Sequence, residues 1–211
     1  MTDRGPGRGT GSSRGVEGAN VLKIEVAELG LSAIDALEVD ALAVFVGPER
    51  PLQGFAGYAD WRMCGAISRS IRSGFFRGGA DEALLLPSGG RLRAGRIFCF
   101  GVPEVPLSAE GFLRAARGAC EAMARAGSEE FATCLPPFDG ELTLAARLWL
   151  EAALVRPVSR QVILGELRAL QRELSAARAE RGADVEVVVP PARVEMPPRG
   201  RALPHVGAVI R

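Results

Sequence analysis

Residues 40–87 read DALAVFVGPERPLQGFAGYADWRMCGAISRSIRSGFFRGGADEALLLP, and this stretch decides the fold class. The run Ala41–Val46 is continuously apolar, which is typical of a central strand buried on both faces. The dipeptide Gly47-Pro48 ends that strand. A second strand is predicted in the apolar residues that close the stretch. Two strands separated by a loop and a long helical pattern indicate an α/β protein.

The segment between these strands contains a glycine-bearing loop and a helix. The loop, PLQGFAG, carries Gly54 and Gly57. In residues 58–76 apolar side chains recur at helical spacing, and Trp61 falls on the apolar side of that pattern. We expect one helix over these residues, with Trp61 buried behind the central strand.

Outside this stretch, strands and helices continue to alternate. Further strands are predicted at 21–27, 96–100, 130–135 and 185–189, and further helices at 32–37, from the N-cap Ser108 onward, at 142–155 and at 159–181. In the last of these helices the apolar residues Ile163, Leu167, Leu170, Leu174 and Ala177 form one stripe. The pattern predicts a three-layer α/β/α sandwich with a mixed sheet.

Composition sets the boundaries of the folded part. Residues 1–20 are rich in Gly, Ser and Arg and are predicted to be a disordered tail. Residues 21–190 are predicted to form one domain, and residues 191–211 a proline-rich tail. That tail holds the only histidine, His205, and an apolar run, VGAVI, that could dock as a short strand on the same or a neighbouring chain.

Charge and hydropathy exclude several classes of protein. The chain has 211 residues, and 47% of them are hydrophobic, which is enough to form a core. The net charge is +1, which argues against a strongly basic nucleic-acid-binding surface. No stretch is long enough to span a membrane, and the amino terminus lacks a secretory signal. The four cysteines form no C-x-x-C pair and lie within apolar patterns, which favours buried thiols. A cytoplasmic location is expected.

Residues 40–87 also resemble a known family. The segments DALAVFV, PLQG, YADW and LLLP are similar to successive segments in the amino-terminal domain of the leucyl aminopeptidases. The similarity continues more weakly to Leu154. It implies a macro-domain-like fold, and macro domains bind ADP-ribose at the place of the glycine-bearing loop. The family's two-metal catalytic domain would follow Leu154, yet no signature of the type NTDAEGRL occurs, so the resemblance implies an accessory domain standing alone.

Two loops are candidate ligand-binding segments. Gly54 and Gly57 precede a predicted helix, where free backbone N–H groups and the helix dipole can hold a phosphate. Asp139 and Gly140 follow another strand and would lie at the same cleft. Macro domains carry an asparagine where this strand ends in Gly47, so a purely structural loop is the alternative. Asp139 could instead be the N-cap of the helix that begins at Leu142.

We expect no catalytic residue, no metal site and no cofactor. The acidic side chains lie on different predicted elements and match no ligand motif. The expected function is therefore a non-catalytic assembly or protein-interaction module, a homo-oligomer or a partner-binding domain. The apolar stripe of the helix at 159–181 either packs on the domain's own sheet or forms the contact surface. A macro-like module binding a nucleotide or ADP-ribose-type ligand is one alternative. A nucleic-acid-binding module that uses the arginines is another, and no membrane partner is expected.

Overall fold

A computed structural model describes residues 21–182 and 184–190 of the chain. Its elements, in chain order, are β1 (Leu22–Glu28), α1 (Leu31–Ala36), β2 (Ala41–Val46), α2 (Gly54–Arg62), α3 (Ala66–Arg72), β3 (Ala83–Pro87), β4 (Arg96–Gly101), α4 (Ala109–Arg125), β5 (Glu130–Thr133), α5 (Leu142–Ala153), β6 (Arg160–Gly165), α6 (Leu167–Arg181) and β7 (Val185–Val188). The two predicted tails lie outside the described residues.

The strands form one seven-stranded sheet in the order β3-β4-β2-β5-β6-β1-β7. Only β3 runs antiparallel to its neighbour, β4, and every other pair is parallel. Strand β2 lies inside the sheet between β4 and β5, as its continuous apolar sequence predicts. The mixed sheet expected from the sequence is confirmed.

Helices cover both faces of the sheet. Alternate residues of β2 point to opposite sides: Ala41 and Ala43 join the core beneath α4, α5 and α6, while Leu42 and Val44 join the core beneath α1, α2 and α3. The three-layer sandwich is therefore confirmed.

Helix α4 begins as the sequence predicts. The Ser108 hydroxyl accepts a hydrogen bond from the Gly111 N–H at 3.2 Å, which satisfies one of the N–H groups that the first turn leaves open. Phe112, Ala116 and Met123 then bury one helix face against the sheet. The cap and the apolar stripe together fix where this helix starts and which face it buries.

The single helix predicted over 58–76 is wrong, because the structure has two short helices there. The break lies at Cys64 and Gly65, whose φ angles are +53° and +79°. The carboxylate of Asp60 accepts from the N–H groups of Ile67 and Ser68 and so caps α3. Trp61 lies just before the break and is 62% exposed. The predicted burial of Trp61 is therefore wrong.

The helix predicted over 159–181 is also wrong in its first third. Residues Arg160–Gly165 form β6, a strand between β5 and β1, and the helix begins only at Leu167. Leu170 and Leu174 are buried in the core shared with α5 and β1. This helix face packs against its own domain, so it is not the contact surface that the sequence pattern suggested.

Within residues 21–182, no helix combines the length and the apolar character needed to cross a lipid bilayer.

Candidate functional site

The main candidate site lies where β2 and β5 end, at a point where the chain changes direction. Both strands are parallel neighbours. The loop after β2 leads to α2 on one face of the sheet, and the loop after β5 leads to α5 on the opposite face. The two loops therefore diverge and leave a crevice between them. Such a switch point at the carboxyl ends of parallel strands is where open α/β sheets bind ligands.

The crevice, called here the switch-point cleft, has a volume of about 300 Å³. Its walls are mainly apolar, and the polar side chains among them are those of Glu49 and Gln53. The lining residues are Leu29, Phe45, Gly47, Glu49, Leu52, Gln53, Gly54, Phe55, Ala56, Val105, Cys134, Leu135 and Pro137. A small concave site with apolar walls and few polar groups is typical of a ligand pocket.

The amino terminus of α2 forms one end of this cleft. Its N-cap, Gln53, has an extended backbone and no side-chain cap, and the carbonyl of Gln53 accepts from the Gly57 N–H at 3.0 Å. The preceding N–H groups, those of Gly54, Phe55 and Ala56, have no acceptor within the helix. Together with the helix dipole they give this end of the cleft a positive potential that suits an anion.

The thiol in the cleft is not reactive. Burial raises the pKa of Cys134 to about 12, so the thiol stays protonated at neutral pH. Burial also raises the pKa of Cys99 and that of Cys120 to about 12. Cys64 is exposed, so its predicted burial is wrong, whereas Cys99 and Cys120 are buried as expected. The cleft thus offers shape and hydrogen-bond donors rather than a nucleophile.

Gly54 and Gly57 differ in where the structure places them. Gly54 lines the switch-point cleft with a φ of +54°, a conformation that glycine adopts without strain. Gly57 lies one turn further along α2, outside the cleft lining. A Cβ there would lie 2.5 Å from the Leu52 carbonyl oxygen, so the close approach of the loop explains this glycine.

Asp139 and Gly140 are exposed and do not line the cleft. Their loop is held in place by Leu107: its N–H donates to the Pro137 carbonyl, and its carbonyl accepts from the Asp139 N–H. The cleft-facing part of this loop lies a few residues earlier, around Leu135. The predicted capping role of Asp139 is wrong, because Glu141 is the N-cap of α5 and makes no side-chain cap.

The sequence pattern missed the aromatic walls of the cleft. Phe45 lies in the continuous apolar run of β2, where nothing distinguishes it from its buried neighbours. Phe55 follows the loop glycine and was assigned to the loop. The position of Phe45 does indicate a place near the cleft, because Phe45 is the second-last residue of β2 and ligands bind at the carboxyl ends of such strands.

Metal ligands do not converge in the described part of the chain. Among residues 21–182 and 184–190, no three His, Cys, Asp or Glu side chains lie close enough together to hold an ion. His205 lies outside the described residues.

Solved structures similar to this chain include a leucine aminopeptidase and several macrodomains. A tomato leucine aminopeptidase mutant matches 77% of this chain with a TM-score of 0.54 and 16% identity, and the chain spans only 36% of that enzyme's length. An Oceanobacillus iheyensis macrodomain mutant with ADPR matches 76% of this chain and 92% of its own, with a TM-score of 0.57 and 13% identity. The macrodomain of Mycobacterium tuberculosis DarG matches 68% of this chain and 97% of its own, with a TM-score of 0.55 and 12% identity.

No family model matches the chain, and no curated protein matches it in sequence. At these identities the structural similarity establishes the fold. The macro-like fold expected from the sequence is therefore confirmed.

Proposed function

We propose that this protein is a non-catalytic binding module whose switch-point cleft takes an ADP-ribose-type ligand. The observation that carries the proposal is the uncapped amino terminus of α2 at a cleft with apolar walls. Support also comes from the similar macrodomain structures, one of which is described as holding ADPR.

The phosphate end of such a ligand fits the start of α2. The N–H groups of Gly54, Phe55 and Ala56 are free of intrahelical acceptors, so they can donate to phosphate oxygens. Hydrogen bonds between backbone N–H groups and a charged oxygen are stronger than neutral ones. A phosphate group placed here would be held without any lysine or arginine.

The remaining walls fit the ring and sugar of the ligand. Phe45, Phe55 and Leu135 offer apolar surface for a planar ring. Glu49 is an exposed carboxylate at the rim, and carboxylates accept hydrogen bonds from ribose hydroxyls. With Cys134 protonated by burial, these contacts describe binding without a covalent step.

The decisive experiment is calorimetric titration of the protein with ADP-ribose. We expect saturable binding, and we expect Gln53→Glu to weaken it at least about tenfold, which corresponds to about 1.4 kcal/mol. The substitution keeps the shape of the side chain but puts a negative charge beside the phosphate. Its carboxylate also suits a helix amino terminus, so stability should not fall.

Gln171→Glu is the matched control. Gln171 is exposed on α6, on the opposite face of the sheet from α2, and the substitution changes the net charge equally. We expect its affinity for ADP-ribose to equal that of the unmodified protein. An absence of binding at millimolar ADP-ribose, or an equal loss in both variants, would overturn the proposal.

The non-catalytic part of the proposal predicts no aminopeptidase activity. We expect no hydrolysis of leucyl-chromophore substrates with added Zn²⁺ or Mn²⁺, because no metal-ligand cluster occurs in residues 21–182 and 184–190. Purified protein is assayed with and without a chelator. Turnover that survives repurification and disappears on chelation would contradict this prediction.

The nucleic-acid alternative receives less support from the charges. Helix arginines such as Arg117, Arg147 and Arg181 form ion pairs with Glu151 or Glu180. Paired arginines contribute less to a continuous positive surface than unpaired ones.

A further inference from the structure

We infer that the free edge of β3 is a self-association surface on which a second copy of this chain adds its own β3 in antiparallel orientation. This inference does not depend on the ligand of the switch-point cleft, which lies at the carboxyl ends of interior strands. The hydrogen-bonding pattern of β3, its side chains and its lack of charge carry it.

The backbone of β3 presents unused hydrogen-bonding groups. Among the described residues its only neighbour is β4. The Gly101 N–H donates to the Glu82 carbonyl at 2.8 Å, and the Ser88 N–H donates to the Gly95 carbonyl at 3.0 Å. Bonded residues alternate along an antiparallel strand, so the even-numbered residues of β3 bond to β4. Ala83 and Leu85 therefore direct their N–H and C=O groups to the free edge.

The same two residues expose their side chains. Leu84 is buried in the core on the side of the sheet covered by α1, α2 and α3, while Leu85, which points to the other face, is 54% exposed. Ala83 lines a groove of about 260 Å³ between the β3–β4 edge and α4. The α4 wall of this groove combines small residues with two arginines: Gly111, Arg114, Ala115, Gly118, Ala122 and Arg125. Leu85 lies two residues beyond Ala83 on the same face of the strand, outside the lining of this groove.

The two edge strands of the sheet, β3 and β7, differ in whether a charged side chain guards them against pairing with another chain. Proteins commonly place charged residues on edge strands to prevent pairing with other chains. At the opposite edge, β7 carries the exposed Glu186 in its middle. Strand β3, with the sequence ALLLP, carries no charge at all. The β3 edge is therefore the one open to pairing.

A second copy of β3 satisfies this edge in a two-fold arrangement. Pairing Ala83 with Leu85 of the second copy, and Leu85 with Ala83, forms four hydrogen bonds and leaves Pro87, which has no N–H, outside them. Each Leu85 then lies diagonally across from the other, within side-chain contact. The antiparallel orientation also brings Asp81, two residues before β3, towards the turn of the second copy that carries Arg91. Neither residue has an ion pair within the described part of the chain.

The first test is the mass of the full chain by light scattering at micromolar concentration. We expect about twice the chain mass of 22.3 kDa. Leu85→Lys should raise the dissociation constant of the dimer more than about tenfold, because it places like charges in adjacent strands. At concentrations low enough for both proteins to be monomeric, its thermal unfolding should equal that of the unmodified protein, since the side chain already contacts solvent. Val155→Lys is the matched control, because Val155 is also 54% exposed but follows α5.

The second test reads the interface itself by amide hydrogen exchange at residue resolution. In the monomeric Leu85→Lys variant we expect slow exchange at Leu84 and Leu86 and fast exchange at Ala83 and at position 85. In the unmodified protein at high concentration all four should exchange slowly, because the edge amides then donate to the second copy. A monomer at every concentration, or a dimer that Leu85→Lys leaves intact, would overturn the inference.

Discussion

Replacing Trp149 with alanine is expected to lower the free energy of unfolding by about 3–5 kcal/mol, the largest loss for any single substitution proposed for this protein. Trp149 is fully buried on α5, and its indole N–H donates to the Gln161 side-chain carbonyl at 3.0 Å. Truncation leaves a cavity and removes the partner of that buried oxygen. The Gln161 amide nitrogen already has no partner within the described residues. Denaturant unfolding of both proteins measures the loss.

Trp61→Ala is the comparison that makes this test sharp. Trp61 is 62% exposed, and its described contact is the guanidinium of Arg62 over its ring at 4.6 Å. An exposed cation–π pair is worth about 0.5–1 kcal/mol, so the expected loss is below about 1 kcal/mol. If both tryptophan variants lost the same free energy of unfolding, the assignment of Trp149 as buried and Trp61 as exposed would be wrong.

Replacing Arg160 with methionine is expected to cost about 2–3 kcal/mol at pH 7, less than a fully buried pair would, because part of the guanidinium contacts solvent. Arg160 bridges Glu25 at 2.8 Å and Glu130 at 2.5 Å, and also donates to the Glu38 carbonyl at 3.0 Å. Its removal leaves Glu25, which is 8% exposed, with Lys23 as its remaining partner. Adding Glu25→Gln to the variant should recover part of the loss.

The cost of losing Arg160 should depend on pH in a defined direction. Burial alone raises the pKa of Glu25, but hydrogen bonds and charges from Arg160 and Lys23 outweigh it and hold that pKa below its usual value of 4.5. In the unmodified protein, Glu25 therefore contributes stability that is present above about pH 4.5 and is lost as the pH falls through the lower folded-state pKa.

In Arg160→Met, burial is less opposed, so the pKa of Glu25 rises and protonation relieves the buried charge at mild acidity. The stability difference between the two proteins should thus narrow from pH 7 to pH 4. Denaturant midpoints at the two pH values measure it. A difference that stays constant would show that Glu25 is not the group left uncompensated.

Ligand binding at the cleft and self-association at the β3 edge remain distinguishable. Gln53→Glu changes the charge at the start of α2. Leu85→Lys changes a residue of the edge strand β3 that does not line the switch-point cleft. Each variant should leave the other property unchanged.

Parts of the fold could be predicted because they depend on local patterns. Strand β2 begins and ends at the predicted residues, since a continuous apolar run closed by Gly-Pro has few other solutions. Ser108 caps α4 because its hydroxyl needs only an N–H three residues later. The glycine-bearing segment was predicted to be a loop before a helix at residue 58, but the helix begins at Gly54, so Gly54 and Gly57 lie within the helix.

Other parts of the fold could not be predicted, because residues of a strand and of the helix after it together follow one helical spacing. In residues 160–181, Ile163, Leu167, Leu170 and Leu174 follow a helical spacing even though Ile163 belongs to a strand. The helix at 58–76 was predicted as continuous because the break depends on Asp60 capping a new helix across the turn. A continuous helix would bury Trp61, whereas in the structure Trp61 precedes the break and is exposed.

By itself the sequence determined the α/β class, the central strand and the mixed sheet, because the apolar runs and turn residues that predict them are neighbours in the chain. Only the tertiary structure decided that β6 is a strand, since its partners β1 and β5 are distant in sequence. It alone decided that Leu135 rather than Asp139 faces the cleft, because Leu107 holds that loop in register. It also showed that, among the strands of the described residues, the uncharged β3 lies at an edge of the sheet, because strand order is a property of the assembled sheet.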